Sequence, residues 1–223
     1  MVKKGFFTLI LVFLLSDGLF AATFEVFLKN GTTGAPMAEY PIRILLVDKK
    51  SGGVVKTFEG KTDNKGIYRE DIKHKEDTVL YSLITYRGVK YQYPIESGSR
   101  NKVLVYEITD QPKDTNIPGR TIIISPQDEH TIQVYDILLI ENQGNKTLVE
   151  RFNDKLDTNQ VLNVPVPYGY RLNQLQGMSA EKIRTYGSSL ITLEHIPPGK
   201  REYIFGYLIR SDTGLFNLEY FLL

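Results

Sequence analysis

Along most of the chain apolar and polar residues alternate with a period of two. Phe24, Val26 and Leu28 alternate with Glu25 and Lys29, and Ile42, Ile44 and Leu46 flank Arg43, which is the pattern of strands that bury one face. The same reading predicts strands over residues 54–58, 67–72, 79–86, 89–93 and 103–108. Between them stand Asn30-Gly31, Ser51-Gly52-Gly53, Asn64-Lys65-Gly66, Arg87-Gly88 and Glu96-Ser97-Gly98, the residue types that tight turns use. About seven short strands at this spacing predict an all-β sandwich.

The alternation stops at residues 109–120, TDQPKDTNIPGR, where two prolines and several polar residues leave few apolar positions. Such composition marks a linker. It divides the chain into an N-terminal domain over residues 22–108 and a second β-domain over residues 121–223. In the latter, strands are expected at 121–125, 131–141, 147–152, 161–165, 170–175, 190–193, 201–209 and 215–221. Residues 178–184, MSAEKIR, predict one helical turn capped by Ser179. The expected fold class is therefore two consecutive immunoglobulin- or transthyretin-like β-sandwiches.

One stretch breaks the period-two pattern altogether. Lys3 and Lys4 precede an apolar run from Phe6 to Leu15, interrupted only by Thr8, and Ala21-Ala22 follow a Ser16-Asp17-Gly18 break. This is the arrangement of a secretory signal peptide over residues 1–21, with cleavage expected after Ala21 or Ala22. The apolar core falls short of the roughly 20 residues that cross a bilayer as a helix. Export to a bacterial periplasm, medium or cell surface is expected, with a membrane tether only if the signal stays uncleaved or the chain continues beyond Leu223.

Composition narrows the picture by exclusion. Removing the signal takes Lys3, Lys4 and Asp17, so basic and acidic residues balance in the mature chain. No basic block stands ready to neutralise a phosphate backbone, so no nucleic-acid partner is expected. The chain has no cysteine, which excludes disulfides, thiol chemistry and a lipoprotein anchor, and leaves stability to burial and sheet hydrogen bonds.

Several short motifs carry a resemblance. Gly34-x-Pro36, Thr62-Asp63-x-x-Gly66-x-Tyr68 and the late tyrosine-rich strands resemble the carboxypeptidase regulatory-like domain, a transthyretin-type sandwich. The opening Lys29-Asn30-Gly31-Thr32-Thr33-Gly34, the step Tyr86-Arg87-Gly88-Val89-x-Tyr91, Val105-Tyr106 and a later Pro197-Pro198-Gly199 are similar to a group of bacterial exported proteins. In those a second β-domain follows, and a C-terminal membrane helix often closes the chain. Here the apolar ending Leu218-Glu219-Tyr220-Phe221-Leu222-Leu223 reads as a strand, as expected of a naturally short chain or of a fragment.

The resemblance also raises a hydrolase. Transthyretin-like enzymes that open 5-hydroxyisourate use a Tyr-Arg-Gly-Ser ending and paired histidines, because activating water needs an imidazole and the anionic substrate a guanidinium. Here Tyr86-Arg87-Gly88 lies mid-chain before Val89, and His74, His130 and His195 are far apart in sequence. Arg87-Gly88 therefore reads as a hairpin turn. Isolated histidines do not make the short-spaced ligand pairs of a zinc site. Asp48, Asp63, Asn64 and Glu70 do not form the regular loop that supplies calcium with its many oxygens, and read as turn and surface residues. No cofactor, metal or catalytic residue is expected.

Tyrosine is the remaining signal. Tyr81, Tyr86, Tyr91, Tyr93 and Tyr106 crowd the last strands of the N-terminal half, and alternation puts Tyr91 and Tyr93 with Val89 on the core face. Two functions stay open. One is a non-catalytic module of the bacterial envelope that binds another protein, by β-addition to a free strand edge. The other is a carbohydrate-binding module that stacks sugars on exposed tyrosines.

Overall fold

The computed structural model describes residues 20–216 and Leu218. The expected signal peptide and most of the expected last strand lie outside the described residues. The fold is nearly all β. Seven strands build the N-terminal unit: β1 (Phe20–Asn30), β2 (Pro41–Asp48), β3 (Val54–Lys61), β4 (Ile67–His74), β5 (Thr78–Tyr86), β6 (Val89–Ile95) and β7 (Arg100–Val105). They form two sheets, ordered β4-β1-β7 and β3-β2-β5-β6. β1 pairs antiparallel with β4 and parallel with β7.

Alternation does what the sequence implies. Phe24, Val26 and Leu28 of β1, Ile42, Ile44 and Leu46 of β2, and Leu80 and Ile84 of β5 meet in one buried cluster with Val89, Tyr91 and Ile95 of β6 and Val103 and Val105 of β7. Both sheets thus turn one face onto a shared core, a sandwich-like packing in which strand periodicity sets which side chains leave water. β1 starts earlier than alternation indicates: Phe20 to Ala22, at the expected cleavage junction, pair with His74 to Ile72.

The expected linker is structured. β8 (Ile108–Thr109) pairs parallel with β11 (Thr147–Leu148), and Pro112–Asp114 make a 3-10 turn. β9 (Thr115–Asp128) already includes the second half of the expected linker. There Pro118 and Gly119 are tolerated because, among the described residues, β9 pairs only with β10 (Thr131–Asn142), across a register shift between Leu139 and Glu141. Proline belongs on such edges and bulges, where no ladder donor is needed.

The C-terminal unit continues with β12 (Arg151–Asn153), β13 (Thr158–Gln160), β14 (Leu162–Pro165), β15 (Tyr170–Gln176), β16 (Ile183–Tyr186), β17 (Ser189–Thr192) and β18 (Gly199–Arg210). Sheets β15-β18-β10-β9 and β14-β17-β16 enclose a second cluster that includes Val134, Leu138, Val164, Leu190, Tyr203, Phe205 and Tyr207. The expected helical turn is only Ala180–Lys182, a 3-10 turn in which Ser179 Oγ accepts from the Glu181 N–H at 3.4 Å; its remainder enters β16.

One charge lies inside this core. Asp136 sits on the inward face of β10 at 0% exposure. Arg120 of β9 meets it with two parallel bonds, Nε to Oδ1 at 2.9 Å and a terminal nitrogen to Oδ2 at 2.6 Å, and also donates to the Pro165 carbonyl at 2.8 Å. The planar guanidinium satisfies both carboxylate oxygens and reaches the opposite sheet, which makes a buried charge tolerable.

Candidate functional site

The two units meet along a hydrogen-bonded seam. Thr147 donates its N–H to Glu107 O at 2.8 Å, and Val149 N–H donates to Thr109 O at 2.8 Å. The hydroxyls of Tyr91 and Thr147 are 2.7 Å apart, and Thr32 Oγ1 donates to Asn145 O at 2.5 Å. Val149 packs on the N-terminal core. Glu107 anchors the N-terminal side: its carboxylate accepts from Tyr86 Oη and, at 2.8 Å, from Asn30 Nδ2, and stands 3.4 Å from Arg87 Nε. The Tyr86 hydrogen bond first, with Asn30 and Arg87 adding to it, holds this carboxyl below its ordinary value.

From the seam the chain is fixed onward to His195. Leu148 and Ile196 exchange main-chain bonds of 2.9 and 3.0 Å, and Asn142 Nδ2 donates to Ile196 O at 2.8 Å. His195 is half-buried, 3.7 Å from Glu150. Burial, and then the Lys182 charge, lower its basicity.

These elements face β6 across a cleft of about 640 Å³, the size of a small-molecule or peptide site, set where such sites commonly occur, between two units. One wall is the continuous run Gly88 to Tyr93; the other is formed by Ser179, Glu181, Lys182, Glu194, His195, Pro197 and Arg201. Burial raises the Tyr93 hydroxyl to about 12, and that hydroxyl donates to Leu104 O at 2.8 Å. Lys90, Lys182 and Arg201 are in no ion pair among the described residues, and neither are Glu181 and Glu194.

The β6 wall offers more than side chains. The two-residue turn at Arg87 (φ 52°) and Gly88 (φ 80°) makes Tyr86 and Val89 a hydrogen-bonded pair. Ile84–Tyr91, Ser82–Tyr93 and Leu80–Ile95 then carry the ladder, while the main-chain groups of Lys90, Gln92 and Pro94 point away from β5. Among the described residues β6 pairs with β5 alone. The cleft is therefore floored by a free strand edge that exposes the N–H groups of Lys90 and Gln92.

The other residues singled out by sequence do not converge. Arg87-Gly88 is the β5–β6 hairpin turn. His74 lies at the end of β4 and His130 in the β9–β10 turn, where its Nδ1 is 3.1 Å from Ser211 O. Asp48 Oδ1 accepts from the N–H groups of Lys50 and Ser51, and Asp63 Oδ1 from those of Lys65 and Ile67, so both build turns. Glu70 accepts from Tyr68 Oη at 2.6 Å. Among the described residues no group of three potential metal ligands occurs.

Tyr91 is buried, and Tyr86, Tyr91 and Tyr93 spend their hydroxyls inside the protein. The well-exposed tyrosines are elsewhere: Tyr168 at 87% and Tyr186 at 54%. Their loops lie side by side, joined by Val166 N–H to Ser188 O at 2.9 Å. Sequence reading missed both tyrosines and the cleft; a Pro-x-Gly and a Tyr-Gly turn were the available signals for the tyrosines. No protein-family model, curated protein or solved structure matches the chain.

Proposed function

We propose that this chain is a non-catalytic, exported interaction module of the bacterial envelope, built of two consecutive immunoglobulin- or transthyretin-like sandwiches, the first of the carboxypeptidase regulatory-like kind. Its partner is another envelope protein, held by strand addition. The observation that carries the reading is the free edge of β6 on the floor of the cleft between the units. Unsatisfied, preordered main-chain groups bind an extended segment without demanding a particular side chain, and the cleft walls supply selectivity. Separated histidines, and Tyr91 and Tyr93 hydroxyls that donate to the protein's own carbonyls, also favour contact over reaction. Photo-cross-linking in the envelope from position 92 should trap one partner protein, whereas the same probe at the exposed Thr57 of β3 should not. Absence of a position-92 adduct overturns the reading.

A second reading rests on Tyr168 and Tyr186, whose rings are exposed on adjacent, hydrogen-bonded loops and suit stacking on sugar rings. Retention on a polysaccharide that is lost in Tyr168→Ala and Tyr186→Ala would establish it in place of the first.

A further inference from the structure

We infer that the occupant of the cleft is an extended, carboxylate-bearing segment of the partner, added as a strand to β6; this rests on the interaction reading above. Two observations point the same way. Lys90 and Gln92 present outward main-chain groups on adjacent outward positions of β6, the spacing at which an added strand forms its ladder. Pro94, next in that series, lacks a donor, so the ladder weakens toward Ile95 and the segment is centred on Lys90 and Gln92.

Charge supplies the second observation. Lys90 rises from the strand itself, and Lys182 and Arg201 stand on the opposite wall, all three without an ion-pair partner among the described residues. Glu181 and Glu194 share the cleft. His195 has Glu150 at 3.7 Å, and the charges of Lys182 and Glu194 both act on it. Arg201 acts on the half-buried Tyr93 of β6. An incoming carboxylate is therefore met by Lys90 on the strand and by Lys182 and Arg201 on the facing wall, three cations outside any ion pair among the described residues against the two acids Glu181 and Glu194. Complementary charge of this kind sets selectivity and encounter rate more than overall affinity.

The test uses the full mature chain and three labelled peptides of equal length and alternating pattern, bearing Glu, Gln or Lys, read by fluorescence anisotropy. The Glu peptide should bind at least about tenfold more tightly than the Gln peptide, and Arg201→Glu and Lys182→Glu should abolish that preference. Raised salt should narrow the gap. Methylating alternate main-chain nitrogens of the Glu peptide, which leaves the protein untouched, should remove binding in one register and spare it in the other. Equal binding of Glu and Gln peptides with intact sensitivity to methylation overturns the acidic ligand and leaves strand addition standing. Binding indifferent to methylation in both registers, or no binding of the Glu peptide at millimolar concentration, overturns the docking proposal. Cross-linking from position 92 then decides the interaction reading separately.

Discussion

The hydroxyl oxygens of Tyr91 and Thr147, 56 residues apart in sequence, stand 2.7 Å from each other where the two units meet. Tyr91 Oη also donates to Tyr106 O at 3.2 Å, and both side chains are shielded from water. Thr147→Val keeps the shape and removes one partner. It should lower stability by about 1–2 kcal/mol, and a double-mutant cycle with Tyr91→Phe should recover part of that loss as coupling. Urea unfolding of the four proteins checks it; additive effects would show that the pair contributes nothing across the seam.

A fragment ending at Ile108 keeps the complete N-terminal core but loses Thr147 and the packing of Val149. It should fold cooperatively and melt below the same unit in the whole chain. Extending the N-terminal unit with residues 109–149 should restore part of the difference. A fragment without a cooperative melt would show that the cores are not separable.

Arg120 and Asp136 make the sharper test of the C-terminal core. Removing one partner, as in Arg120→Met, leaves a charge with no exposure and should cost about 3–5 kcal/mol. Replacing both with apolar residues of similar size should cost far less than the single change. Chemical denaturation of the single and double variants distinguishes them.

His195 sets a pH dependence. Its folded-state basicity is lowered by burial, so in the window below its ordinary value near 6.5 the unfolded chain binds the proton more readily. Its stabilising contribution is complete above that value and falls as pH drops below it. His195→Gln should flatten the decline of melting temperature between neutral and mildly acidic pH. An unchanged slope would assign the acid sensitivity in that window to other groups.

The turn at Arg87 and Gly88 separates the hairpin from the hydrolase reading. Both residues have positive φ, the geometry that favours Asn-Gly. Arg87→Asn should leave the fold at least as stable, whereas Gly88→Ala should cost about 1 kcal/mol. Thermal melts suffice.

Much of the N-terminal unit is legible in sequence because its strands alternate cleanly and its turns use glycine at positive φ, as at Gly66 and Gly88. The core positions of Tyr91 and Tyr93 follow from the same alternation. Legibility fails where partners are distant. The stretch at Pro118 looks like a linker because its strand character comes from pairing with β10, and β16 was hidden in a helix-like pattern that Leu190 and Thr192 override by pairing with it. The cleft is illegible for the same reason: Lys90 and Arg201 come to line one cleft through contacts such as the Glu107–Thr147 and Leu148–Ile196 bonds. No local pattern records such an encounter.

The position of Thr147 has a consequence for birth order. A chain made from its N-terminus completes all seven strands of the first core before the residue that covers Tyr91 emerges. Until then the tyrosine hydroxyl has only Tyr106 as a partner, and the cleft, whose second wall runs from Ser179 to Arg201, comes into being only once that later stretch has packed beside the open strand.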